Sequence, residues 1–106
     1  MKLEDIKFVV GVTSCATGIA HTYMAADAIK KACKKRGIKC RVETQGAIGV
    51  EDKLKASEIA EADLIVFAND VEVKDIERFD AVKDKIIHTK PGAVLKNADI
   101  IFEGME

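Results

Sequence analysis

The chain has 106 residues, 48% of them hydrophobic and 33% charged, with a net charge of −1. That length fits one domain spanning residues 1–106, and the balance excludes a disordered chain. Near-neutral charge excludes a chain built for nucleic acid or an anionic membrane surface, and no apolar run approaches the ~18 residues of a membrane span.

Residues 1–20 lack a basic start followed by a long apolar segment, so no secretory signal is expected. The three cysteines, Cys15, Cys33 and Cys40, are an odd number and lack a C-x-x-C spacing. A reduced, cytoplasmic protein is expected. No spacing calls for a metal or a cofactor.

Ile6 to Thr13 is a continuous apolar run rich in β-branched residues, the pattern of a strand buried on both faces. Ala25, Ala28, Ile29, Ala32 and Cys33 fall on one face of a helix, expected from about Gly18 to Arg36, with Gly37 as its stop. The clustered Lys30, Lys31, Lys34, Lys35 and Arg36 read as its solvated face and C-terminal turn.

Ile38 to Glu43 alternates apolar and polar, which predicts a half-exposed strand at a sheet edge. Gln45 to Gly49 reads as a loop with two glycines, and Ala56 to Ala62 as a short helix beginning near Lys55 or Ser57. Leu64 to Ala68 is another apolar strand, ended by Asn69-Asp70. Residues 71–84 read as a charged connection with a turn of helix or a short strand, and Lys85 to His88 as a last short strand. Pro91 suits the first turn of a final helix, with Val94, Leu95, Ala98, Ile101, Phe102 and Met105 on its apolar face. Alternation of this kind predicts an α/β fold: a Rossmann-like three-layer sandwich with an about four-stranded, mainly parallel sheet.

In open α/β sheets, ligands bind beyond the carboxyl ends of the strands. Cys15 stands there, and the loops around Gln45-Gly46 and Asn69-Asp70 are expected on the same edge. Ala16, Thr17, Gly18, Ile19, Ala20, His21 and Thr22 follow as a phosphate-binding loop leading into the helix. Backbone N–H groups at a helix N-terminus hold anions and favour the thiolate form of a nearby cysteine. Cys15 is therefore the candidate nucleophile, and a phosphoryl group on sulfur the chemistry. Cys33 and Cys40 read as packing residues. His21 gives a C-x5-H spacing where protein tyrosine phosphatases have C-x5-R. Without the arginine fork, a carrier suits the loop better than a hydrolase.

"GVTSCATGIAHTYMAADAIKKA" closely resembles the phosphocysteine loop and first helix of fructose-specific IIB domains of the bacterial phosphoenolpyruvate:sugar phosphotransferase system. "VETQGAIG" (Val42 to Gly49) resembles the second-strand segment of that family, and Ile59 to Phe79 its third strand and loop. The similarity runs from about residue 7 to residue 96. It implies that Cys15 accepts a phosphoryl group from a phosphohistidine on a IIA partner. Cys15 then passes the group to a sugar, fructose in most relatives, held by the membrane-embedded IIC permease. The chain would be cytoplasmic and reach the membrane through IIC, without inserting into it. Ala16 replaces the usual proline, which loosens the loop and restores one N–H, and Ala47 replaces a common serine. Two other readings compete: a low-molecular-weight phosphatase-like hydrolase, and a IIB-like regulatory module without transport. Met1 and the length favour a free subunit.

Overall fold

The computed structural model describes residues 2–15, 19–46 and 49–103. A first strand, β1 (Phe8–Ser14), is buried along its whole length. Its β-branched residues serve both faces. Val9 joins a core cluster with Ile29, Cys33 and Val66, while Val10 joins one with Ile65, Phe67 and Phe79 on the other side. Alternate side chains of a strand point to opposite faces, so a continuous apolar run builds two cores at once. Each such side chain, fully buried, contributes about 1.5–3 kcal/mol.

Helix α1 (Ile19–Lys35) follows and lies on the first of these faces. Its end matches the expectation from Gly37, which takes φ +69°. The Ile38 N–H donates to the Cys33 carbonyl at 2.9 Å, and the Gly37 N–H to the Lys34 carbonyl at 3.0 Å. These are the paired bonds of a Schellman cap, which favours glycine at the left-handed position.

Strand β2 (Lys39–Gly46) is parallel to β1, and a short β3 (Gly49–Glu51) returns antiparallel to it. Helix α2 (Ala56–Glu61), β4 (Leu64–Asn69), β5 (Ile86–Thr89) and α3 (Pro91–Lys96) complete the order. The sheet runs β3-β2-β1-β4-β5. This is an α/β fold with five strands, all parallel except β3.

Several expectations change. The sheet has five strands instead of about four, and Gln45, Gly46 and Gly49, expected in a loop, lie in β2 and β3 because the two strands pair across Gly46 and Gly49. β2 is not an edge strand, because β3 covers its outer side. The three residues of β3 carry too little periodic signal to be seen in a sequence. Glu43 is fully buried, not half-exposed, because its carboxylate is satisfied by partners from two other segments. Residues 76–85 form 3-10 turns with a kink at Val82. The final helix is broken at Asn97, whose side chain accepts the Asp99 N–H at 3.1 Å and starts a 3-10 turn, Ala98–Phe102. Asparagine competes with helical backbone bonding in this way. Val94, Ile101 and Phe102 are buried as expected; Met105 lies outside the described residues.

The connections give the site its place. From β1 the chain moves outward on one side to β2, then crosses to β4 on the other side. The crevice beyond the carboxyl ends of β1 and β4 is the topological switch point, where such folds bind ligands. Cys15 follows β1 and Asp70 follows β4.

Candidate active site

Cys15 is held by the sheet it leaves. Ser14 pairs with Asn69 across the β1–β4 ladder, and the Asp70 N–H donates to the Ser14 carbonyl at 2.9 Å. That bond fixes the Asp70 backbone beside the cysteine. The Asp70 carboxylate then accepts from the Cys15 thiol, with Sγ and Oδ2 3.4 Å apart. From the other side, His21 brings Nδ1 to 3.5 Å from Sγ. His21 is the third residue of α1, and the helix start is itself pinned to β1. The Thr13 hydroxyl donates to the Thr22 carbonyl at 3.1 Å.

The thiol donates to the Asp70 carboxylate, and in the tautomer with hydrogen on Nδ1, His21 donates to sulfur. The carboxylate can therefore take the thiol proton as sulfur becomes a nucleophile, leaving His21 a donor to whatever negative charge develops there. Beside the triad lies a cleft of about 490 Å³ lined by His21, Asp70, Thr89, Lys90 and Lys96. Its two lysines suit an anionic group brought to the sulfur.

A second polar cluster braces the neighbouring strand end. Glu43 accepts from Arg78 through both oxygens, at 2.9 and 3.0 Å, from the Leu54 N–H at 2.9 Å, and from Gln45 at 2.7 Å. Gln45 in turn accepts the Lys74 N–H at 2.8 Å. Desolvation is the largest single influence on the Glu43 carboxyl and favours the neutral acid. The Arg78, Gln45 and Leu54 bonds together outweigh it and hold the carboxyl below the usual range. Tyr23 of α1 donates to Glu51 of β3, tying the helix start to the hairpin.

Of the sequence-predicted residues, the structure brings Cys15 and His21 together, with His21 half-buried. Ala20 is exposed on the first turn and Thr22 is fully buried. The Thr22 Oγ1 has no hydrogen-bond partner among the described residues. Ile19 opens α1. Ala16, Thr17, Gly18 and Ala47 lie outside the described residues. Cys15 is 7% exposed, while Cys40 is half-buried. The Cys33 and Cys40 thiols influence each other's acidity. The neighbouring Cys33 thiol, with desolvation, pushes the Cys40 thiol well above the ordinary range. Asp70 was missed as a functional residue, although its loop was expected on this edge. Glu43 and Arg78 left no signal beyond an acidic residue in an alternating strand.

The profile of the IIB family, described as "PTS system, Lactose/Cellobiose specific IIB subunit", matches residues 10–103. The chain is also 40% identical over 98 residues to the fructose-like EIIB component 2 of Escherichia coli K12, across 92% of this chain and 91% of the relative. The chain belongs to the IIB family of the sugar phosphotransferase system. This IIB chain is 50% identical over 95 residues to the fructose-specific EIIB'BC component of Rhodobacter capsulatus, across 90% of this chain and 16% of that protein. A domain from the fructose-specific IIABC component of Borrelia burgdorferi has the same fold, with a TM-score of 0.84 at 36% identity over 92% of this chain and 91% of that one. The relatives are thus fructose-type IIB components, and the chain is a component of a sugar phosphotransferase. No described helix is long and apolar enough to cross a membrane.

Proposed function

We propose that Cys15 is a phosphoryl carrier. Its thiol gives a proton to Asp70, and sulfur attacks the phosphorus of a phosphohistidine on a IIA partner. The P–N bond breaks as the P–S bond forms, and the leaving imidazole picks up a proton. In the second step a sugar hydroxyl attacks phosphorus, the P–S bond breaks, and the hydroxyl proton passes to the leaving sulfur, which restores the thiol. The sugar is fructose or a close relative, held by a IIC permease that brings the chain to the membrane. The name of the Rhodobacter capsulatus relative, EIIB'BC, supports a IIC partner.

The observation that carries this reading is the position of Cys15. It is a thiol at the switch point, with an acceptor at 3.4 Å, a second polar partner at 3.5 Å and a lysine-lined cleft beside them. The same loop lacks an arginine six residues after the cysteine, which favours holding a phosphoryl group over hydrolysing it. Residues 16–22 would supply N–H donors to its oxygens.

The test is transfer of labelled phosphate from phospho-IIA, followed by mass spectrometry. Cys15→Ser should abolish acceptance, because a hydroxyl at neutral pH is a far weaker nucleophile. Cys33→Ala should accept at the wild-type rate. A phosphoryl group found on His21 or His88 would end the reading.

A further inference from the structure

Cys15, His21 and Asp70 also have the donor chemistry of a metal site. Their Sγ, nitrogen and carboxylate oxygen all lie within 4.8 Å of one another. A tetrahedral zinc ion with thiolate at about 2.3 Å and imidazole nitrogen or carboxylate oxygen near 2.1 Å separates sulfur from the other donors by about 3.6 Å. The structure has Sγ to Nδ1 at 3.5 Å and Sγ to Oδ2 at 3.4 Å. Two of the three edges of a zinc coordination triangle are therefore already in place. We propose that Cys15, His21 and Asp70 form a three-ligand site for a thiophilic divalent cation such as zinc, which occupies the sulfur and blocks its attack on phosphorus.

Several features favour the cation over a chance cluster. The donors come from the ends of two adjacent parallel strands and the first turn of α1, and the backbone bond from Asp70 to Ser14 fixes their spacing. Sulfur and imidazole select zinc-type metals over magnesium or calcium. A dication meets one thiolate and one carboxylate, so the loaded site is neutral. Binding releases the thiol proton. The open cleft beside His21 and Asp70 leaves a fourth position to water. The sequence hid the site because Asp70 is 55 residues from Cys15, too far for a local motif to pair them.

Metal binding rests on this geometry alone; its effect on phosphoryl transfer rests on the carrier role proposed for Cys15. The two are tested separately. Zinc chloride is titrated into the reduced full chain against a chromophoric chelator. One equivalent should bind with micromolar or tighter affinity, and cobalt in its place should give a thiolate-to-metal charge-transfer band and tetrahedral ligand-field absorption. Zinc should protect Cys15 from iodoacetamide, and EDTA should reverse the protection. Cys15→Ser, His21→Ala and Asp70→Asn should each weaken binding by about 100-fold or more, with unchanged circular dichroism showing that each is folded. Cys33→Ala and Cys40→Ala should bind as wild type. In a final arm, zinc should stop phosphate acceptance from phospho-IIA in step with its occupancy. Binding that survives in Cys15→Ser but disappears in Cys33→Ala would place the metal on the other thiol pair and overturn the proposal. So would the absence of binding below millimolar zinc. Full occupancy of Cys15 with undiminished acceptance would overturn the blocking role.

Discussion

Asp70 and His21 bear on the same sulfur from opposite sides, and their contributions separate by substitution. Asp70→Asn keeps the shape and removes the proton acceptor. Acceptance of phosphate should slow by about 10²-fold or more, in the range for a lost general base, and a steeper rise of rate with pH should appear as hydroxide replaces the carboxylate. A wild-type pH profile in that variant would reduce Asp70 to a structural neighbour. His21→Ala removes a donor to the phosphoryl oxygens, worth roughly 1.5–3 kcal/mol when the partner is charged, so a 10- to 100-fold slower transfer is expected. His21→Arg restores a fork that stabilises charge during water attack. Phospho-Cys15 should then hydrolyse faster than in wild type, as read from its lifetime without IIC or sugar. Labelling distinguishes the thiols by chemistry rather than exposure. Cys40 is the more open, but its thiol is held neutral, and Cys33 is fully buried. Iodoacetamide should modify Cys15 first, and peptide mapping that finds Cys40 labelled faster would refute it. The sequence displayed Cys15 and His21 together because they stand only six positions apart. It displayed Asp70 only as a strand breaker, since its contact with sulfur needs the register of β1 against β4.

At the scale of elements, the Glu43–Arg78 pair joins the end of β2 to the 3-10 turns at 76–85. The Glu43 side chain is fully buried and that of Arg78 is 18% exposed. Removing one partner from such a pair leaves an uncompensated charge, at a cost of about 3–5 kcal/mol. Arg78→Ala should lower stability by roughly 3 kcal/mol at pH 7, measured by urea unfolding. The pH dependence follows from the depressed Glu43 carboxyl. Its stabilisation is fully present above the unfolded value of about 4.3 and is lost as pH falls through the lower folded value. The gap between wild type and Glu43→Gln should therefore be wide at pH 7 and narrow near pH 3. A gap that stayed constant across that range would show that the carboxylate charge contributes nothing. The half-exposed reading of β2 failed for a related reason. Alternation along 38–43 marked Glu43 as solvent-facing, whereas its partners at Leu54 and Arg78 lie 11 and 35 residues away. Local pattern carries no information about such bonds.

At the scale of the whole molecule, an apolar anchor and the chemistry sit at opposite ends of α1. The apolar runs of β1 and β4 and the stripe on α1 were legible because a parallel sheet must be covered on both faces. The break at Asn97 was not, because the apolar positions on its two sides still fit a single helical stripe. Beyond the break, Phe102 packs into the core and lies under the Arg36 guanidinium, 4.6 Å from its ring centre. Arg36 also pairs with Asp99 at 2.8 Å. This cluster anchors the C-terminal end of α1, while Cys15 lies near the N-terminal end. Seventeen residues of helix span about 25 Å at 1.5 Å each, beyond direct contact between the two. Phe102→Ala should cost about 3–5 kcal/mol through lost burial and an incompletely filled cavity. For a chain of this size that lowers Tm by roughly 10–25 °C. A domain in the middle of the usual range, about 10 kcal/mol, keeps such a variant folded in the cold, and native circular dichroism at 15 °C checks this. At 15 °C, phosphate acceptance by Phe102→Ala should then match wild type, although its melting by circular dichroism has moved far down. If the rate at 15 °C falls while the circular dichroism there is native, the anchor at residues 98–102 is coupled to the thiol through α1, and the separation of stability from chemistry is wrong.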